Sequence, residues 1–71
     1  MGRMTKTSRA NLEIADACGV VAGASGWMVW VERNGARAYL SDSAGPLEYK
    51  TDTLARRAVK RIRPDLEPTT I

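Results

Sequence analysis

Residues 27–40 read WMVWVERNGARAYL and carry the clearest structural signal in the sequence. The pair Asn34-Gly35 favours a two-residue type I′ turn, because both central positions of that turn require a positive φ. Apolar and polar residues alternate on both sides of the pair, as they do in half-buried strands. The stretch therefore predicts a β-hairpin.

A two-residue turn also fixes the register of the hairpin. It places Trp30 opposite Tyr39 and Glu32 opposite Arg37, and each such cross-strand pair contributes roughly 0.2–1 kcal/mol. Because side chains alternate between the two faces of a strand, one face of the hairpin is apolar and belongs to the core. With the apolar residues that follow, the predicted core is Trp27, Val29, Val31, Ala38, Leu40, Tyr49, Leu54, Ala58, Val59 and Ile62.

The opposite face of the hairpin carries Met28, Trp30, Arg37 and Tyr39. Trp, Tyr, Met and Arg are enriched in protein interfaces, so this aromatic face is a candidate protein-binding surface. It could instead stack unpaired bases. A third interpretation is that residues 10–22 fold back and cover it.

A basic helix is predicted near the end of the chain. Leu47-Glu-Tyr-Lys50 reads as a short third strand, and residues 53–63 then place apolar residues on one stripe at helical spacing. The rest of this helix is basic, and cations of one sign suit phosphate groups or an acidic partner. The candidate contact residues are Arg56, Arg57, Lys60, Arg61 and Arg63. A solvated helix face that keeps the protein in solution is the alternative.

These elements predict an α+β fold. We expect an antiparallel sheet of three strands, or of four, with the amphipathic C-terminal helix packed on one face. Residues 1–9 are expected to be a flexible basic arm, residues 10–63 a single domain and residues 64–71 a flexible tail. Residues 10–22 fit a helix or a strand, with a helix over 9–18 favoured.

Composition narrows the function classes. The 71 residues contain no histidine and one cysteine, so we expect no catalytic residues, no metal site, no cofactor and no enzyme activity. Cys18 is expected to be a small buried apolar residue. The first nine residues lack the apolar run of a signal peptide, which predicts a cytoplasmic protein without a membrane partner.

The net charge of +3 is unevenly distributed. Three cations stand in residues 1–10 and six in residues 50–63, while the stretch between them is acidic on balance. Such asymmetry bears on partners rather than on fold. A nucleic acid or nucleoprotein, a host protein and a second copy of the chain are the partners that we expect.

Two resemblances to phage proteins also imply a binding protein. The order of three strands, an Asn-Gly turn and a basic helix over residues 27–63 resembles the three-stranded DNA-binding domains of phage integrases. Those domains present Arg and Lys on the sheet, whereas this sheet face is aromatic. The segment Trp30-Val-Glu-Arg-Asn-Gly35 is similar to a small anti-CRISPR protein of the type I-F class, which implies an inhibitor that binds a host nucleoprotein.

The sequence therefore predicts a small non-enzymatic binding protein. In the first hypothesis it contacts nucleic acid or a nucleoprotein through the basic helix. In the alternative it is a phage-type inhibitor, or another protein-partner module, that binds a host complex through the aromatic sheet face.

Overall fold

The computed structural model describes residues 3–70, and within them it contains two helices and seven strands. In chain order these are α1 (Lys6–Glu13), β1 (Ala17–Ala22), β2 (Trp27–Arg33), β3 (Ala36–Tyr39), β4 (Ser41–Asp42), β5 (Gly45–Pro46), β6 (Glu48–Tyr49), α2 (Asp52–Ile62) and β7 (Thr69–Thr70). The predicted α+β class is confirmed: β1, β2, β3 and β6 pair in antiparallel fashion, and α2 packs against one face of the sheet over β1, β2 and β6.

The β2–β3 hairpin forms as predicted. Asn34 and Gly35 have φ values of 52° and 83°, as a type I′ turn requires. The register pairs Trp30 with Tyr39 and continues to the turn without a slip. The short strands β4 and β5 form a separate small hairpin, after which β6 returns to pair with the first two residues of β2.

Residues 10–22 divide between a helix and a strand, so the predicted helix over 9–18 is wrong beyond Glu13. Ile14 caps α1, and β1 then pairs with β2 along its whole length, from Ala17 opposite Glu32 to Ala22 opposite Trp27. Pairing with a central strand outweighs the helix propensity of the alanines. The possible fourth strand of the sheet is thus β1.

The N-terminal segment is more ordered than predicted, because α1 begins inside the expected arm of residues 1–9. The Oγ1 of Thr5 caps the helix by accepting a hydrogen bond of 3.1 Å from the Ser8 backbone N–H. Ser8 is buried, and its Oγ accepts a hydrogen bond of 2.8 Å from the Ser41 N–H. The hairpin of β4 and β5 is thereby joined to α1. Residues 1 and 2 of the predicted arm lie outside the described residues.

The C-terminal segment also differs from the prediction. Thr69 pairs with Gly19 in a parallel ladder between β7 and β1, and Pro68 is buried. The predicted tail of residues 64–71 is therefore wrong for this part, because the chain after α2 returns to the sheet. Residue 71 of the predicted tail is not among the described residues.

Both helices contribute to one core on the same face of the sheet. The buried core residues are Leu12, Ala15, Cys18, Val20, Val29, Val31, Leu40, Ala55 and Val59. Met4, Trp27, Tyr49, Ile62 and Leu66 pack against them. Cys18 is buried as predicted, and its burial raises the pKa of the thiol.

Three members of the predicted core, Ala38, Leu54 and Ala58, do not belong to this cluster. Ala38 is exposed, because α2 packs over β1, β2 and β6 and leaves β3 uncovered. Leu54 and Ala58 are half-buried at the margin of the α2 stripe. Within the described residues, neither helix has the length and apolar character needed to cross a membrane.

Candidate nucleic-acid interface

The cation at the end of α2, Arg63, is engaged by the chain itself. Its Nη1 donates three hydrogen bonds of 2.9–3.2 Å to the backbone oxygens of Leu12, Glu13 and Ala15. Its Nε and Nη2 donate to the two carboxylate oxygens of Asp65, at 2.9 and 2.8 Å. The guanidinium lowers the pKa of the Asp65 carboxyl to about 2. Arg63 therefore fastens the end of α1 to the end of α2.

Two more cations of α2 hold the segment that follows the helix. The Nη1 of Arg56 donates a hydrogen bond of 2.9 Å to the backbone oxygen of Pro68. The Nζ of Lys60 donates at 2.9 Å to Glu67 and thereby lowers the pKa of that carboxyl. We call Arg56, Lys60 and Arg63 the clamped cations. These three predicted contact residues have structural partners that a ligand would have to displace.

The remaining two predicted contact residues are exposed to solvent. Arg57 and Arg61 lie one turn apart on α2, and neither makes an ion pair or side-chain hydrogen bond with another described residue. The charge of this part of the helix is therefore available to a partner.

A cleft of about 640 Å³ lies between the N-terminal segment and α2. The N-terminal segment lines it with three cations and α2 lines it with a fourth, namely Arg3, Lys6, Arg9 and Arg61. The apolar part of the wall consists of Met4, Tyr49, Ala58 and Ile62. No carboxylate is among the described residues that line this basic cleft.

The positive charge of the basic cleft is only partly neutralised. Arg9 pairs with Glu13 at 3.7 Å, but both side chains are more than half exposed, so the pair is weak. Burial raises the pKa of the Tyr49 hydroxyl. The cleft thus combines cations with an apolar, partly aromatic surface, a combination that suits an anion carrying a planar apolar group.

The sequence indicated the cations of the basic cleft but not that they lie together. It showed the excess of positive charge in residues 1–10, but the expectation of a flexible arm separated these cations from Arg61. The available signal was Thr5, which can cap a helix that starts at Lys6. The folded N-terminus is what brings Arg3 and Lys6 to α2.

The aromatic face differs from its prediction at Trp30, which is buried. Trp30 is only 5% exposed, because its ring lies across Gly19 of β1 and the Arg37 guanidinium covers it, 3.9 Å from the ring centroid. A side chain buried to this degree offers little surface to a partner. Met28 is half-buried, whereas Tyr39 is 48% exposed. β1 lies beside β2 in the sheet, so the burial of Trp30 comes from lateral contact with Gly19 and from Arg37, and not from residues 10–22 folding back over this face.

Comparison of the chain with protein-family models, with curated proteins and with solved structures gives no match.

Proposed function

We propose that this protein is a non-enzymatic nucleic-acid-binding protein and that it holds a single strand in the basic cleft. The observation that carries the proposal is the convergence of four cations from the two helical ends of the chain on one cleft without a lining carboxylate. The proposal retains Arg61 and its exposed neighbour Arg57 from the predicted contact set. It assigns the clamped cations to the fold.

The charge of the cleft supports a phosphate ligand. Lys and Arg neutralise phosphates and release condensed counterions, so each contact adds to the salt dependence of the affinity. Four contacts to a single strand give a slope of about −3 in a plot of log affinity against log salt concentration. Arg side chains also bind phosphate oxygens in a bidentate manner, which favours ordered over diffuse binding.

The walls of the cleft favour unpaired over paired nucleic acid. A base that is not in a duplex can leave the stack and lie against Tyr49 and the apolar side chains beside it. Stacking of this kind tolerates any base, so little sequence preference is expected. A duplex presents its phosphates but not the faces of its bases, and it should bind more weakly than the same strand alone.

Fluorescence anisotropy with a labelled oligonucleotide of about twenty nucleotides, a length that covers the binding sites of small single-strand binders, tests the proposal. The affinity should fall with rising salt, and the double variant Lys6→Gln/Arg61→Gln should flatten that dependence. The double variant Arg33→Gln/Lys50→Gln is the matched control, because it also removes two exposed positive charges and neither residue lines the cleft. Binding that is insensitive to salt, or equal losses in both variants, would contradict it.

A protein partner is the second candidate, in the form of the phage-type inhibitor or other protein-partner module. The observation that favours it is the exposure of Tyr39, the one member of the predicted aromatic interface that is a large exposed apolar residue. A pull-down from host lysate, with and without nuclease, separates the candidates. Capture of one protein complex at equal yield after nuclease treatment supports this second function, whereas loss of capture supports nucleic acid.

A further inference from the structure

The strand β3 lies at one edge of the sheet and its outer side is open. All four of its residues are exposed, and among the described strands it pairs with β2 alone. An open edge presents N–H and C=O groups that can pair with another strand. The two large exposed hydrophobic residues of the described chain, Ile14 and Tyr39, lie at this edge.

The hairpin register identifies which backbone groups are open. The Leu40 N–H donates to the Val29 oxygen at 2.9 Å, and bonded and non-bonded residues alternate along an antiparallel pair. Ala36 and Ala38 therefore direct their backbone groups to β2. Arg37 and Tyr39 direct theirs away from the sheet.

The one charged residue of β3, Arg37, does not protect this edge from pairing with another strand. An edge is usually protected by a charged side chain that projects beyond it. Here the Arg37 guanidinium is held over the ring of Trp30 and reaches Glu32 at 3.4 Å. The strand itself contains no proline.

We infer that β3 pairs with β3 of a second copy of this chain, in antiparallel orientation and with Ala38 on the two-fold axis. In this register, Arg37 lies opposite the partner's Tyr39 and the two residues exchange both backbone hydrogen bonds, which gives four such bonds by symmetry. The side chains of each pair lie on the same face within reach of a cation–π contact. Ala38 meets its own counterpart at a Cα separation of about 4.5 Å, which a small side chain allows.

The strand is complementary to itself only in this register. Centring the pair on Arg37 would place two like charges opposite each other, which is unfavourable. Centring it on Tyr39 would remove the partner ring from Arg37. The groove of about 300 Å³ that Ile14, Ala36 and Ala38 line together with polar residues of α1 and the hairpin would meet its symmetry mate at the same axis.

The two-fold symmetry would bring two basic clefts together. Only this point, and not the strand pairing itself, rests on the proposed function. The two-fold axis stands perpendicular to the joined sheet, so both helical layers and both basic clefts lie on the same side. Two linked sites bind one strand more tightly than either site does, through effective concentration.

Sedimentation equilibrium at protein concentrations up to about 1 mM, the range of weak association, measures the pairing. The mass should rise from 7.8 kDa toward twice that value. Ala38→Lys should raise the dimer dissociation constant at least about tenfold through like charges at the axis. The matched control is Ala44→Lys, which adds the same charge at an exposed position outside β3 and should dimerise as the native chain does.

A mixture of Ala38→Lys and Ala38→Glu tests the register and removes misfolding as an explanation. The two variants should form a heterodimer although each alone stays monomeric. A native chain that remains at 7.8 kDa, or a mixture that does not associate, would overturn the inference. Oligonucleotide binding by the monomeric variants is a separate readout, so loss of pairing and failure of the proposed function are distinguishable.

Discussion

The clamped cations and the cations of the basic cleft differ in what surrounds them. Arg56, Lys60 and Arg63 each reach a backbone oxygen or a carboxylate within 3 Å, whereas Arg61 makes no ion pair with another described residue. Arg61 lies on the same helix as Arg56 and Lys60 and carries the same charge. The number of charges on a helix therefore does not measure the charge available to a ligand, because some of the charged side chains are engaged in hydrogen bonds within the fold.

The largest effect is expected when two cleft cations are removed together. Lys6→Gln/Arg61→Gln deletes two phosphate contacts and should weaken oligonucleotide binding about 25-fold near 0.1 M salt. The free energy of unfolding should change little, because neither side chain has a partner among the described residues. Anisotropy titrations and thermal unfolding measure the two quantities. A variant that binds as tightly as the native chain would show that the cleft cations do not contact the ligand.

A smaller but clear effect is expected when the strongest clamp is removed. Arg63→Met retains an aliphatic chain but loses the hydrogen bonds to three backbone oxygens of the α1 end, which are then left without this donor. The midpoint of thermal unfolding should fall by several degrees. Arg57→Met is the matched control, since it removes an exposed cation of the same helix. Equal midpoints for the two variants would show that Arg63 is not a clamp.

A moderate effect is expected for the cation that holds the chain after α2. Arg56→Gln removes the charged donor to the Pro68 oxygen and should cost about 1 kcal/mol of stability. The salt dependence of oligonucleotide binding should not change. Chemical denaturation and anisotropy check the two parts, and a flattened salt dependence would move Arg56 into the binding site.

The smallest effect concerns pH. The pKa of Asp65 is lowered from 3.8 to about 2 in the folded protein, so its stabilising contribution is present above pH 3.8 and is lost as the pH falls through about 2. Unfolding of the native chain and of Asp65→Asn should therefore differ at pH 5 and converge near pH 2, within the range where this carboxyl titrates. Curves that stay parallel over this range would contradict the ion pair with Arg63.

The sequence was informative wherever local chemistry decides the structure. Asn34-Gly35 predicted the hairpin and its register, and the periodicity of residues 53–63 predicted α2. Ala38 could not be placed correctly, because alternation predicts which face a side chain takes but not how far a helix extends over that face. Trp30 was misjudged for a related reason, since only the pairing of Gly19 opposite it makes room for its ring.

The charges of the candidate site could be predicted from the sequence, but their positions relative to one another could not. Composition showed two separated groups of positive charge, but their meeting depends on contacts distant in sequence, such as Ser8 with Ser41 and Arg63 with Leu12. Which cations are clamped likewise follows from hydrogen bonds between α2 and segments before and after it. No periodicity within α2 distinguishes Arg61 from Lys60 in this respect.

The most direct measurement compares Arg61→Gln with Arg56→Gln in the salt dependence of oligonucleotide binding. Both variants remove one positive charge from α2, so they differ in the surroundings of that charge and not in its amount. The slope for Arg61→Gln should be smaller in magnitude by about 0.7, the loss of one phosphate contact, whereas the slope for Arg56→Gln should match the native chain. Equal reductions in the two variants would show that α2 acts as an undifferentiated basic face and would contradict the assignment of the cleft.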